Sequence, residues 1–194
     1  MIDTRDAMRA FLPYRKTSIV VTTDTSVLCW GDVTDNDKLD LPNPAMSKAS
    51  SLALGVAIAQ PNARVVVWDG DGGLLMNLGS LVSIGEQSPS NLLHIVLDNG
   101  MYAMTGGQPV PNADEVSYIE MALAAGYAKT YEFDNLEDWI TNVKDILNLD
   151  GPVMVVLKTI PELTDWINDP PDFSAIREID DAAITVRDSL SSQN

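Results

Sequence analysis

Val65-Val66-Val67-Trp68-Asp69-Gly70-Asp71-Gly72-Gly73 opens the stretch that decides the fold. Val96-Leu97-Asp98-Asn99-Gly100, followed by Thr105-Gly106-Gly107-Gln108, closes it. Val65 to Trp68 is a short apolar, β-branched run of the kind that fills a central parallel strand. After the glycine turn, Leu74, Leu75, Leu78, Leu81, Val82 and Gly85 recur at helical spacing. Leu92 to Leu97 is a second apolar run and ends at Asp98-Asn99-Gly100. In an open α/β sheet the ligand crevice lies at the loops beyond the carboxyl ends of the strands. Asp71 and Asn99 fall on two such loops.

A glycine-rich turn into a helix offers backbone N–H groups and the positive end of the helix dipole, which suit a diphosphate. Asp71 and Asn99 add two side-chain oxygens. Mg²⁺ takes a few oxygen ligands from protein and completes its octahedron with phosphate and water. The stretch therefore reads as a metal–diphosphate site. It is not a Walker A loop, because no Gly-Lys-Ser/Thr follows the glycines. It is not the dinucleotide fingerprint either, since Leu75 stands where the third glycine belongs.

Outward from this stretch, strands alternate with helices. Residues 4–16 read as a helix with Thr4 at its N-cap and Ala7, Met8, Phe11 and Leu12 on one face. Ser18 to Val21 is a strand, ending in the hydroxyl-rich Thr22-Thr23-Asp24-Thr25-Ser26. That loop reads either as a cap for the next helix or as a set of hydroxyl contacts to a diphosphate. Asp32 to Pro44 is polar and aperiodic, hence a loop. Met46 to Ala59 is a helix of small residues. Pro109 to Asn112 interrupts regular structure, and Asp114 to Gly126 is a helix with Gly126 at its stop. Ala128 to Phe133 is a strand, Asn135 caps a helix running to about Leu149, and Pro152 to Leu157 is a buried strand. The pattern predicts an α/β fold: a three-layer open parallel sheet with helices on both faces. Residues 1–160 are expected to form the domain. Residues 161–194 form a C-terminal extension, packing on the domain or on a partner, with an amphipathic helix from Phe173 to Leu190 carrying Ile176, Ile179, Ala183, Ile184 and Val186, and fraying over Ser191 to Asn194.

The 194 residues, 45% hydrophobic and 21% charged, suffice for one full core. A formal charge of −16 argues against nucleic acid and anionic membrane surfaces as partners. It also requires a metal, or a partner chain, to supply positive charge beside an anionic ligand. One cysteine, Cys29, excludes an internal disulfide framework and fits a reducing cytoplasm. Cys29 reads as a small core hydrophobe and His94, inside an apolar strand, as a satisfied core histidine. No apolar run reaches the length of a membrane span, and the N-terminus lacks a signal-peptide layout.

Gly70-Asp71-Gly72 with Asn99 placed 28 positions beyond Asp71 resembles the signature of thiamine-diphosphate enzymes. Gly70 to Gly79, Pro89-Ser90-Asn91-Leu92, Leu97 to Gly100 and Thr105 to Gln108 together are similar to the sulfopyruvate decarboxylase β subunit and to phosphonopyruvate decarboxylase, over roughly Ser18 to Lys158. The resemblance implies the diphosphate-binding module of the thiamine-diphosphate-binding fold, with thiamine diphosphate and Mg²⁺ as cofactors. The metal ligands would be Asp71, Asn99 and the carbonyl of Met101. Gly70, Gly72 and Gly73 would cradle the diphosphate, Gly72 and Gly73 through their amides, and Thr23, Thr25 and Ser26 would contact it. Met46 matches the apolar residue that wedges between the two cofactor rings, although the flanking glycines are replaced by Ala45 and Ser47. Gln108 would act from a loop over the cofactor and substrate, with Tyr102 and Met104 beside the pocket.

Two departures stand out. Asp24 occupies a place that glycine often holds, and is expected to turn away from the phosphates or to bond a backbone N–H. Pro109 follows Gln108 where a hydroxyl residue is common. The glutamate that activates the cofactor belongs to a pyrimidine-binding domain, for which this length leaves no room. The implied protein is a β-type subunit of a 2-oxo acid decarboxylase, completed by an α-type pyrimidine-binding subunit in an α₂β₂ or larger assembly and acting on a small 2-oxo acid. The alternatives are a carboligase or lyase taking a more apolar 2-oxo or 2-hydroxyacyl substrate, a 2-oxo acid:ferredoxin oxidoreductase β subunit, and a scaffolding subunit without catalysis. A single cysteine, too few to ligate an iron–sulfur cluster, argues against the second, and intact Asp71 and Asn99 argue against the third.

Overall fold

The structure, a computed structural model, describes residues 1–35, 38–174 and 176–191. Asn36 and Asp37 of the expected loop, and the expected fraying of Ser192 to Asn194, lie outside the described residues. In chain order the elements are α1 (Thr4–Phe11), β1 (Ile19–Thr23), α2 (Thr25–Gly31), β2 (Asp40–Asn43), α3 (Ala49–Ala59), β3 (Val65–Gly70), α4 (Asp71–Leu75), α5 (Ser80–Gln87), β4 (Leu92–Asp98), β5 (Met101–Tyr102), β6 (Gln108–Pro109), α6 (Tyr118–Ala125), β7 (Lys129–Phe133), α7 (Leu136–Ile146), β8 (Val153–Lys158) and α8 (Ile179–Ser191). Six strands form one sheet in the order β2-β1-β3-β4-β8-β7, and every pairing in it is parallel. β5 and β6 make a small antiparallel pair beyond the end of β4.

Alternation along the strands builds the two outer layers. Val65 and Val67 of β3, with Ile19 and Val21 of β1, join Ala49, Ala53 and Ala57 of α3, Leu81 and Ile84 of α5, Ala122 of α6 and Val186 of α8 on one face. Val66 and Trp68, with Val20, join Met8 and Phe11 of α1, Cys29 and Trp30 of α2, and Trp139 and Val143 of α7 on the other. The expected three-layer parallel fold is thus present, and its central strands are buried on both sides. No described helix is long and apolar enough to cross a membrane.

Several boundaries differ from the sequence reading. The N-cap of α1 is Asp3, whose side chain accepts from Asp6 N–H at 3.1 Å, so Thr4 is the first helical residue and is buried. The expected loop of 32–44 contains β2. Its polar ends and Pro42 hide it from pattern reading, but an edge strand tolerates a missing N–H. Asp40 there is ion-paired to Arg15 at 2.6 Å, both buried. The single helix expected after the glycine turn is two, α4 and α5. Between them Asn77 is turned toward the α3 side, donating to Ser47 O and Ser51 Oγ, each at 3.0 Å. The α6 helix starts only after Ser117, which caps Glu120 N–H at 3.3 Å. In α8 it is Ala182 and Val186 that are buried, while Ile184 is exposed. The expected Ile179 and Val186 do pack on the core, but Ala182 joins them in place of Ile184, and the helix begins at Ile179, not at Phe173.

Candidate functional site

The carboxyl ends of β1, β3 and β4 converge on one cleft. Thr23, Thr25, Ser26, Met46, Gly70, Asp71, Gly72, Gly73, Asn99, Met101 and Tyr102 all line it. Sequence reasoning named each of these as a cofactor contact, and the structure brings them together from four separate segments.

Asp71 is the hinge of the arrangement. It begins α4 and is 2% exposed. One carboxylate oxygen accepts the N–H of Gly72 and the other accepts the N–H of Gly100 from the loop after β4, both at 2.8 Å. The side chain therefore ties two strand-end loops together. Burial pushes this carboxyl up to about 7, the two N–H donors opposing the rise and the nearby Asp98 adding to it. Lys158 sits 2.5 Å from Asp98 rather than on Asp71. Asn99 Oδ1 accepts the N–H of Met101 at 3.0 Å, a turn that fixes the amide at the cleft edge. A carboxylate keeps further lone pairs after accepting two bonds, and so does an amide oxygen after one.

Gly72 and Gly73 have little room for a side chain, whereas Gly70 has nothing within 4 Å of where a Cβ would lie. A Cβ on Gly72 would lie 2.6 Å from Tyr102 Cδ1, so the tyrosine ring rests directly on the turn. A Cβ on Gly73 would lie 3.0 Å from Asp24 Oδ2. The Gly72 N–H, expected as a phosphate donor, is already given to Asp71. Thr23 Oγ1 is buried without a hydrogen-bond partner among the described residues. Ser26 is different. Its hydroxyl accepts Thr23 N–H at 2.8 Å and lies 2.6 Å from Thr23 O and 2.7 Å from Trp68 O. It serves as a tie between β1 and β3.

Asp24 does not turn away. It has φ +51° and ψ −132°, a backbone conformation at home in glycine, and it lines the cleft. Burial, then the charge of Asp69, pushes its carboxyl up to about 6. Met46 stands 41% exposed at the rim, ahead of α3, after Asn43 and Ala45 have closed a side-chain turn. Gln108 is the candidate that the structure leaves outside. It is exposed in β6, does not line the cleft, and its amide lies over Gly106. Cys29 is fully buried, and burial pushes its thiol up to about 12, which suits a packing residue. His94 is satisfied in the core, with Nδ1 2.9 Å from the Tyr127 hydroxyl and Nε2 3.2 Å from Asp69 Oδ2. Asp69 Oδ1 in turn accepts Gly70 N–H at 2.9 Å, so the network braces the floor of the turn.

Two contributions were missed from sequence. One is the orientation of Asp24. The other is the segment after β8, which brings Ile160 and Glu162 to the cleft. No periodicity marks that segment, because its contacts are long-range.

Among the described residues no group of three or more His, Cys, Asp or Glu side chains is placed to hold a metal. A cation here would rest on one carboxylate, one amide and main-chain or phosphate oxygens, a donor set that suits a hard ion such as Mg²⁺. The unpartnered Thr23 hydroxyl and the Cβ-free floor at Gly72 and Gly73 fit a diphosphate alongside it.

A parallel sheet whose strand-end loops gather these groups defines a cofactor-binding α/β module. The chain belongs to the family described as thiamine pyrophosphate enzyme, C-terminal TPP binding domain, which matches residues 42–157. It is 37% identical to phosphonopyruvate decarboxylase of Streptomyces viridochromogenes over 165 residues, 85% of this chain and 41% of that protein. It is 42% identical to sulfopyruvate decarboxylase subunit beta of Methanothermobacter thermautotrophicus over 117 residues, 60% of each. The chain thus spans less than two thirds of the length of these relatives. Benzoylformate decarboxylase from Polynucleobacter necessarius shares the fold, with a TM-score of 0.70 at 17% identity over 84% of this chain and 34% of that one.

Proposed function

We propose that this chain is the diphosphate-binding, β-type subunit of a thiamine-diphosphate- and Mg²⁺-dependent 2-oxo acid decarboxylase. The observation that carries the reading is Asp71: a buried carboxylate bridging the Gly72 and Gly100 amides, raised to about 7, with no cationic side chain paired to it among the described residues. Such a group gains most from a metal ion. Asp71, Asn99 and the Met101 carbonyl would hold Mg²⁺, and the Thr23 hydroxyl would donate to a phosphate oxygen. Gly73 would admit the diphosphate where a side chain would not fit, and Gly70 would carry the strand into the turn. Thr25 lines the same wall, and Met46 offers the rings an apolar contact at the rim. When bound, thiamine diphosphate supplies the carbon nucleophile and electron sink for loss of CO₂. The tyrosine ring over Gly72 excludes water from the turn.

The activating acid is assigned to an α-type pyrimidine-binding partner, in line with relatives named as beta subunits. The proposed assembly pairs such modules as α₂β₂ or larger. The test is calorimetric. Thiamine diphosphate with Mg²⁺ should bind the reconstituted complex, and Asp71→Ala should abolish binding while the complex stays assembled. Undiminished binding by that variant would refute the assignment.

A further inference from the structure

The segment after β8 has no counterpart in the cofactor motifs, yet it is fastened across the loop beyond Asn99. Thr164 N–H donates to Ala103 O at 3.3 Å, and Trp166 Nε1–H donates to Met104 O at 2.7 Å. Leu163 lies so close to Gly107 that a Cβ there would come within 2.5 Å of it. Arg5 of α1 anchors the start of the segment through Glu162 at 2.6 Å. Behind this strap is a chamber of about 410 Å³. Val27, Met46 and Met104 form its inner walls, and Trp166, Phe173 and Ile176 of the strap form its outer wall. Trp166 and Phe173 stack with ring centroids 6.1 Å apart. Asp24, Met46, Met104 and Thr105 belong to this chamber and to the cofactor cleft alike, so the two cavities adjoin.

The charge of the chamber disfavours a doubly anionic substrate. Its charged residues are Asp24, Glu178 and Arg177, and the Arg177 guanidinium donates to the main-chain oxygen of Asp40 at 2.9 Å. A sulfonate or phosphonate entering here would leave water for apolar walls carrying two acids and one base. An alkyl or aryl group would gain about four-fold in affinity for each methylene buried.

We propose that the strap builds a substrate pocket, and that the substrate is a 2-oxo acid bearing a branched aliphatic or aryl group. This inference rests on the decarboxylase reading above and narrows its substrate class.

The test uses the complex reconstituted with partner, thiamine diphosphate and Mg²⁺. The value of kcat/KM is compared for pyruvate, sulfopyruvate, 4-methyl-2-oxopentanoate and phenylpyruvate. The two apolar acids should exceed the other two by at least about 30-fold. Ile176→Trp, which fills the chamber from the strap, should reduce the ratio of phenylpyruvate to pyruvate at least about ten-fold without changing the dissociation constant for thiamine diphosphate. Ile167→Ala, on the strap but outside the chamber wall, should leave the ratio unchanged. A second readout needs no turnover. Of the four tryptophans only Trp166 is exposed, so phenylpyruvate should quench emission in the native complex and not in Trp166→Phe. Preference for sulfopyruvate with no quenching would overturn the inference and leave the decarboxylase reading intact. Weakened cofactor binding in Ile176→Trp with an unchanged substrate ratio would also overturn it, by giving the chamber to the cofactor. Failure of the native complex to bind thiamine diphosphate would instead overturn the parent reading, and the inference with it.

Discussion

Replacing Asp71 by asparagine should make the metal-free chain more stable and the cofactor-binding chain useless. A carboxyl raised from 3.8 to about 7 opposes folding by about 4 kcal/mol once it is fully ionised. Below 3.8 it is protonated in both states and contributes nothing. Between 3.8 and 7 the folded chain retains a proton that the unfolded chain releases, so stability falls as pH rises through that window. At pH 5 roughly a third of the penalty is present, and above 7 all of it. Asparagine removes the titration but can accept only one of the Gly72 and Gly100 N–H bonds, which costs about 1–2 kcal/mol. The net gain for Asp71→Asn is then about 2 kcal/mol at pH 8 and near zero at pH 5. Urea unfolding of both proteins at the two pH values, in chelator, reads this difference directly. Calorimetry with Mg²⁺ and thiamine diphosphate should show at least about a 100-fold loss of affinity, because the sole carboxylate of the donor set is gone. An Asp71→Asn chain less stable than the parent at pH 8, or one that binds the metal–cofactor pair normally, would refute the reasoning.

Asp24→Gly removes both an unfavourable backbone conformation and a carboxylate raised to about 6. It should raise stability by about 1–3 kcal/mol at pH 8, with the gain shrinking as pH falls through 6, and should tighten diphosphate binding several-fold in the same calorimetric assay. Gly72→Ala should displace the Tyr102 ring, costing about 1–3 kcal/mol in thermal unfolding. Adding Tyr102→Ala should recover part of that loss. Ser26→Ala strands the Thr23 N–H and should cost about 1–3 kcal/mol by urea unfolding. Cofactor affinity measured on the folded fraction should change less than about three-fold, since the hydroxyl faces protein.

The elements legible in the sequence are those whose local pattern and tertiary environment agree. Val65 to Trp68 reads as a strand because it is buried on both faces, and Asn135 reads as a cap because its side chain reaches only three residues onward, to Asp138 N–H. β2 was illegible because its stability lies elsewhere, in register with β1 and in the Arg15–Asp40 pair. The site followed the same division. Gly70 to Gly73 and Asn99 are legible through spacing, since the chemistry demands small residues and oxygens at strand ends. Ser26 reads as a ligand contact because a hydroxyl in a loop says nothing about which acceptor it faces; it lines the cleft while its hydroxyl bonds within the protein. Gln108 reads as part of a loop over the cofactor, but its motif does not encode the pairing of β5 with β6, which leaves it off the cleft lining in this structure. The strap was invisible, because Thr164 and Trp166 meet their partners across 60 or more residues of chain.

The buried Tyr127–His94–Asp69 relay has a mechanical meaning. It starts one residue beyond the Gly126 that ends α6 and finishes at the amide that opens the glycine turn. Three side chains thus form a continuous hydrogen-bonded path from the end of that outer helix to the floor of the glycine turn. The seating of α6 and the geometry of the turn are therefore joined by side chains inside the core and not by a surface loop.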